Sequence, residues 1–261
     1  TGRGLTVSTA SSGKGDVNLT AATDLGTTTV SSVNGNSVLR AVAGAIVADA
    51  TTATNGDVRM TAGTTVAATT TTTTNGDAIF NGTALTLTPV TTGGAGAGDG
   101  SIIGTATAGG ISIDVLTADG DSVSLTATGG AINEIADDGA ADVEADSALL
   151  SGTAGVGTVN GPLEVNLSNL SGRFATGGFF VTDTAGGVTL ANLGGPNANA
   201  VNGVGGAGEI RASGSLLTIA ASAITSGGMT YAVTDTSATG ENLAIESGVT
   251  VTRDLLGRHG S

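Results

Sequence analysis

The sequence predicts an all-β chain coiled as a β-solenoid, with about 20 residues in each coil. Three observations predict it. Glycines that open turns recur at Gly15, Gly35, Gly56, Gly76, Gly100 and Gly120, in steps of 20, 21, 20, 24 and 20 residues. Behind each comes a polar residue and then a short run in which apolar and polar residues alternate. Thr-rich segments also return at a similar distance behind each turn: Thr27 to Thr29, Thr51 with Thr52 and Thr54, Thr69 to Thr74, and Thr91 with Thr92. An antiparallel hairpin sheet would not lay equivalent residues of successive periods on one another, whereas stacked coils would. The Thr recurrence therefore favours coils.

The first clear strand is Val17-Asn18-Leu19-Thr20-Ala21, behind Gly15-Asp16, with the period of two that a half-buried strand requires. Its copies are Val58 to Ala62 behind Gly56-Asp57, Ala78 to Phe80 behind Gly76-Asp77, and Ile210 to Ala212 behind Gly208-Glu209. Gly120-Asp121-Ser122 and Gly240-Glu241-Asn242 carry one extra residue before the strand, which predicts a bulge. Asn55-Gly56-Asp57 and its equivalents read as corners in which Gly supplies a positive φ. The Thr-rich segments form the return strand of each coil.

Beyond Gly129 the repeat loosens. Ala131 to Asn133, Leu149-Leu150, Pro162 to Val165, Phe179 to Asp183 and Val188 to Leu190 remain short strands between glycines. Gly194 to Gly206 has little apolar content and is expected to bulge out as a loop. Ile135 to Ala145 is the best helical rival, but Gly139 in its middle costs about 1 kcal/mol relative to Ala. The whole of 1–261 reads as one solenoid segment, regular over 1–128 and looser over 129–261. About twelve coils are expected, a rod of roughly 60 Å.

Composition narrows the function classes. The 45 glycines lack the three-residue period of collagen, and there are only 3 prolines. Aromatics are 2% of the chain, too few for a conventional large core, yet the 39% of hydrophobic residues sit in alternating runs rather than scattered. A net charge of −14, with eight Lys and Arg, argues against nucleic acid and anionic membrane surfaces as partners. No Cys is present, so disulfides and Cys-ligated metals are excluded. No apolar run is long enough to span a bilayer. The chain opens at Thr1 without a basic n-region, and is expected to be a mature or excised piece.

Three stretches carry a family resemblance. They are Gly15-Asp16-Val17-Asn18-Leu19-Thr20-Ala21; Gly155 to Val165 with Leu170 and Phe180 to Asp183; and Asp235 to Leu243 with Gly248 to Val251. Their succession resembles the filamentous-haemagglutinin-like repeats of large secreted bacterial surface proteins. The resemblance implies a right-handed parallel β-helix, exported to the cell surface, serving as an adhesin stalk or fibre subunit without catalysis. It implies as partners flanking solenoid repeats or identical subunits stacked end to end. The amino-terminal secretion module of that family has no counterpart in this sequence.

The residues offer few sites. Asp57, Asp77, Asp99 and Asp121 follow Gly-rich turns, where calcium-binding solenoids also carry Asp, but the tandem nonapeptide pattern of those proteins is missing. Turn aspartates ordinarily bond their own backbone. Thr28, Thr52, Thr70, Thr72 and Thr91 are the candidates for a ligand face, for ice or for a host or surface glycan. β-propensity alone also accounts for Thr there. Asp137, Asp138, Asp142, Glu144 and Asp146 could serve as grouped carboxylates in a glycosidase, yet no Trp, Tyr or Lys lies near them, so a solvated turn is expected. His259 is the single histidine, which excludes a His-built metal site or triad. Phe179, Phe180 and Tyr231 are assigned to the core. Asn18, Asn81, Asn166 and Asn169 match a glycosylation sequon, a frequent chance match in a Thr-rich chain. No catalytic residue and no cofactor is expected.

Overall fold

The structure is a computed structural model describing residues 4–94, 98–193, 199–204, 206–213, 216–225, 227–234 and 243–251. It is a β-solenoid of about 10 turns with about 21 residues per turn. That is two turns fewer than the expected twelve, because insertions lengthen the later coils. The described residues form 24 strands, every named pair parallel, and no helix. Among the described residues, no helix is therefore long and apolar enough to cross a membrane.

The strands stack in three columns. The first contains β2 (Val17–Ala21), β4 (Ser37–Ala41), β6 (Val58–Ala62), β8 (Ala78–Gly82) and β11 (Ile102–Ala106). It continues through the second halves of β13 (Leu116–Ala127), β15 (Val143–Gly152) and β16 (Leu163–Phe174) to β19 (Val201–Gly203) and β22 (Ala223–Thr225). The second begins with the first halves of β1 (Leu5–Ser12), β3 (Leu25–Ser32), β5 (Ile46–Ala53) and β7 (Thr65–Thr73). It runs on through β9 (Ala84–Leu87), β12 (Ile111–Ile113), β14 (Ile132–Glu134), Val156, β17 (Phe179–Asp183), β20 (Gly208–Ser213) and β23 (Met229–Thr234). The third takes the second halves of β1, β3, β5 and β7, then β10 (Val90–Thr92) and the first halves of β13 and β15. The middle of β16, β18 (Val188–Leu190), β21 (Leu217–Ile219) and β24 (Leu243–Ile245) complete it.

Alternation decides what goes inside. In β6, Val58, Met60 and Ala62 are buried while Arg59 and Thr61 are exposed. One hydrophobic core runs from Val17 to Tyr231. Each fully buried Val, Leu or Ile contributes roughly 1.5–3 kcal/mol of transfer free energy, realised only when the next coil covers it. Side-chain size alternates along the axis where needed. Phe80 stacks on Gly104, and a Cβ at Gly104 would crowd Leu125 and Leu85. Further on, Phe174 stacks with Phe179, ring centroids 5.9 Å apart, and Gly172 and Gly203 leave room for the two rings.

Two expectations change. The corner glycines were assigned to positive φ, and Gly15 has it (φ 96°), but Gly35, Gly56 and Gly76 do not. They are required for another reason. A Cβ at Gly35 would strike the backbone of Gly15, one at Gly56 the carbonyl of Gly35, and one at Gly76 the carbonyl of Gly56. The corners nest so closely that no side chain fits between them. The segment from Gly194 to Gly206 is not all loop. Val201–Gly203 is β19, with Val201 buried and Asn202 facing outward, and it pairs with Gly172 to Phe174. Residues 194–198 and 205 lie outside the described residues. The bulge at Gly120-Asp121-Ser122 is present as a register shift between Ala118 and Ser122, with Gly120 at φ 72°. The matching expectation at Gly240 to Asn242 lies outside the described residues.

Gly56→Ala is expected to lower unfolding stability by about 1–3 kcal/mol, since the added methyl forces two backbones apart. Gly13→Ala, where a Cβ meets nothing within 4 Å, is expected to change stability by well under that. Urea unfolding followed by circular dichroism checks both.

Candidate functional site

The turn aspartates are engaged along the solenoid axis. Asp16 Oδ1 accepts the N–H of Asn36 at 2.7 Å, and Asn36 Oδ1 accepts that of Asp57 at 2.8 Å. Asp57 Oδ1 then accepts from Asp77, and Asp77 Oδ1 from Ser101, both at 2.9 Å. Beside this column runs an amide ladder: Asn75 Nδ2 donates to Asn55 Oδ1, and Asn55 Nδ2 to Asn34 Oδ1. The expectation that each turn Asp bonds its own backbone is thus corrected for Asp57 and Asp77, which cap the neighbouring coil. Asp57 also pairs with Arg59 at 2.6 Å. Asp121 accepts from the N–H groups of Gly98 and Gly100. Asp57, Asp77 and Asp99 line one open corner hollow of about 300 Å³.

The Thr candidates divide between neighbouring ranks. Ser11, Ser31, Thr52, Thr72, Thr91 and Thr117 stand in register as one outward rank of hydroxyls in the third column. The rank continues as Glu144 and then Asn166. Thr70 belongs to a second rank with Thr29 and Ala50. Thr28 joins neither. It occupies an unpaired position where β3 turns from the second column to the third. Other Thr residues of the same runs point inward. Thr51 and Thr71 are buried without hydrogen-bond partners, stacked between Val30 and Val90, so Thr takes the place of an apolar residue there. Where the Thr rank gives way to acid, a shallow groove of about 710 Å³ is lined by Thr91, Thr117, Asp119, Glu144 and Asp146 among others.

The acidic cluster is split by burial. Asp137, Asp138, Glu144 and Asp146 are exposed, as a solvated turn would be. Asp138 Oδ1 accepts the N–H of Ala140 across Gly139, which has φ 75°. Asp142 departs from expectation. It is 4% exposed and faces Glu164, itself 6% exposed, and Glu134. One carboxylate oxygen from each of the three lies within 4.8 Å of the others, the one such group among the described residues. Glu134 ends β14 and Asp142 precedes β15 in the same coil, on either side of the segment that joins the second column to the third, and Glu164 lies in β16 of the next coil, so two successive coils supply the three acids. The Glu164 N–H donates to Asp142 Oδ2 at 3.1 Å. Oε2 of Glu164 and Oε2 of Glu134 are buried without a partner, and a Cβ at Gly161 would meet Glu134 Oε1.

Burial and mutual repulsion change the acidity of Glu134 and Asp142. Desolvation, then the side-chain hydrogen bond with Glu164 and its charge, push the Glu134 carboxyl up to about 8. Desolvation pushes Asp142 up to about 7, against the opposing hydrogen bond from the Glu164 backbone. Sequence reasoning noted Asp142 but missed Glu134 and Glu164. The available signal was the spacing of Asp142 and Glu164, 22 residues, one coil apart.

Elsewhere, Phe179 and Tyr231 are fully buried, as assigned, whereas Phe180 is partly exposed and lines a surface hollow beside Val159 and Arg211. His259 lies outside the described residues. Comparison of the chain with protein-family models, with curated proteins and with solved structures finds no match.

The raised pKa values carry a definite sign. Between about pH 4 and pH 8 the folded state holds protons that the unfolded carboxyls, with ordinary values near 4, have lost. The stabilisation is complete below that unfolded range and disappears as pH rises through about 7 and 8. Urea midpoints are expected to fall from pH 5 to pH 9, and Glu134→Gln is expected to remove most of that slope.

Proposed function

We propose that the chain is part of a non-catalytic structural rod of the cell surface or extracellular space, an adhesin stalk or fibre subunit built from stacked β-coils. The observation that carries this proposal is the state of the first described coil. Among the described residues, β1 pairs with β3 alone and β2 with β4 alone. Leu5, Ala10 and Leu19 are only partly buried, whereas their counterparts one coil further in, Leu25, Val30 and Leu39, are at most 1% exposed. A strand edge with half-covered apolar side chains favours addition of another coil. Flanking solenoid repeats, or identical subunits joined head to tail in a contact that does not close, would satisfy it. The resemblance to filamentous-haemagglutinin-like repeats supports the same assignment and is the basis for export.

A second function is favoured by one feature, the outward Thr rank. Regular hydroxyls and methyls spaced by the strand separation of about 4.8 Å form a repetitive surface suited to ice or to a glycan chain. Measured thermal hysteresis that is lost in Thr72→Tyr would support it.

For the rod, negative-stain micrographs of concentrated protein are expected to contain rods longer than the roughly 50 Å of one unit. The Leu5 N–H bonds inward to the Asp24 carbonyl, so the N–H of Thr6 faces the open edge. Thr6→Pro is expected to leave the circular dichroism spectrum unchanged and to abolish end-to-end association. Compact monomers at every concentration would overturn the filament form of the proposal.

A further inference from the structure

We infer that Glu134, Asp142 and Glu164 form a binding site for one calcium ion, which ties two successive coils together at the corner between the second and third columns. The inference is independent of the rod proposal. Three observations carry it.

The first is distance. Oxygens that coordinate one calcium at about 2.3–2.6 Å lie at most about 4.6–5.2 Å from each other. The three carboxylates meet that condition, with one oxygen of each within 4.8 Å of the others. The second is the orphaned oxygen of Glu164. Its side chain is 6% exposed, and its Oε2 has no hydrogen-bond partner. A buried carboxylate without a donor is costly, and a bound cation removes that cost. Glu134 Oε2 is unpartnered in the same way. The third is construction. Glu134 and Asp142 enter from one coil and Glu164 from the next, at the two segments where the chain leaves the regular coil, 135–142 and 157–162. Gly161 packs against Glu134 Oε1, leaving the space a side chain would fill.

The donor set selects the ion. All three groups are hard oxygens, which exclude a preference for zinc or copper over calcium and magnesium. Calcium accepts an irregular shell of six to eight oxygens, completed here by water or backbone carbonyls, whereas magnesium demands near-octahedral geometry and gives up water reluctantly. The turn aspartates are a poorer set, because Asp57, Asp77 and Asp121 already accept backbone N–H groups.

The test uses the whole chain, freed of metal with a chelator and titrated with calcium chloride by calorimetry. About one ion per chain is expected, with a rise in Tm of about 5 °C at saturation and a much smaller rise with magnesium chloride. Glu164→Gln should lose both the heat and the shift, while folding normally, since it removes a buried charge. Asp142→Asn serves as a second variant should the first fail to fold. Asp137→Asn, an exposed neighbour, should retain both. An equal response to magnesium, or a calcium response that survives in Glu164→Gln and Asp142→Asn, would mean general screening of an acidic protein and would overturn the site. So would the absence of any calcium heat together with a Tm that falls between pH 6 and pH 9, the behaviour of carboxyls that share protons instead.

Discussion

The structure depends on in-register parallel stacking. Each coil lies one strand spacing, about 4.8 Å, from the next, and every residue sits on its own equivalent. That single constraint explains features that look unrelated in the sequence. Corner glycines recur because Gly35, Gly56 and Gly76 each touch the backbone of the corner before them, where a Cβ has no space. Asn34, Asn55 and Asn75 recur because a side-chain amide both donates and accepts, so identical residues can bond to one another along an axis. Asp16, Asn36, Asp57 and Asp77 recur because an oxygen at that position reaches the N–H of the next coil.

The same constraint shapes the core. A solenoid cannot compensate for a large side chain with a distant one, so the compensation comes from the coil next to it. Phe80 over Gly104, and Phe174 with Phe179 beside Gly172 and Gly203, are local exchanges of volume. This is how a chain with 2% aromatics fills its interior without a conventional centre. It also explains Thr51 and Thr71 inside the protein. Thr has the shape of Val and the same preference for strands, so it can enter an apolar column at the cost of an unpartnered hydroxyl.

Chemistry concentrates where stacking is interrupted. In the regular coils every turn carboxylate with a defined partner is occupied by backbone N–H groups, leaving little free for a ligand. Insertions after β14 and before β16 carry the chain outward and bring Glu134, Asp142 and Glu164 under one loop. There the carboxylates outnumber the donors, and burial makes Glu134 and Asp142 weaker acids. The Thr rank also ends in this region, at Glu144, where the groove begins. The regular half thus stacks without interruption, and the irregular half brings carboxylates together.

The sequence by itself determined the period, the alternation and the all-β character, because these are local properties repeated many times. The Gly steps, the strand starting at Val17 and its copies, and the bulge at Gly120 were legible for that reason. The role of the corner glycines was not, because a close approach between coils leaves the same mark in the text as a positive φ. Nor was the sorting of Thr28, Thr52, Thr70, Thr72 and Thr91, since a turn within β3 shifts the inward and outward phases. The buried carboxylates were the furthest from view. Glu134 and Asp142 stand at an insertion within one coil and Glu164 belongs to the next, and only stacking decides which residues of unequal coils meet. In a solenoid the sequence determines each coil, and the tertiary structure decides what the insertions between coils bring together.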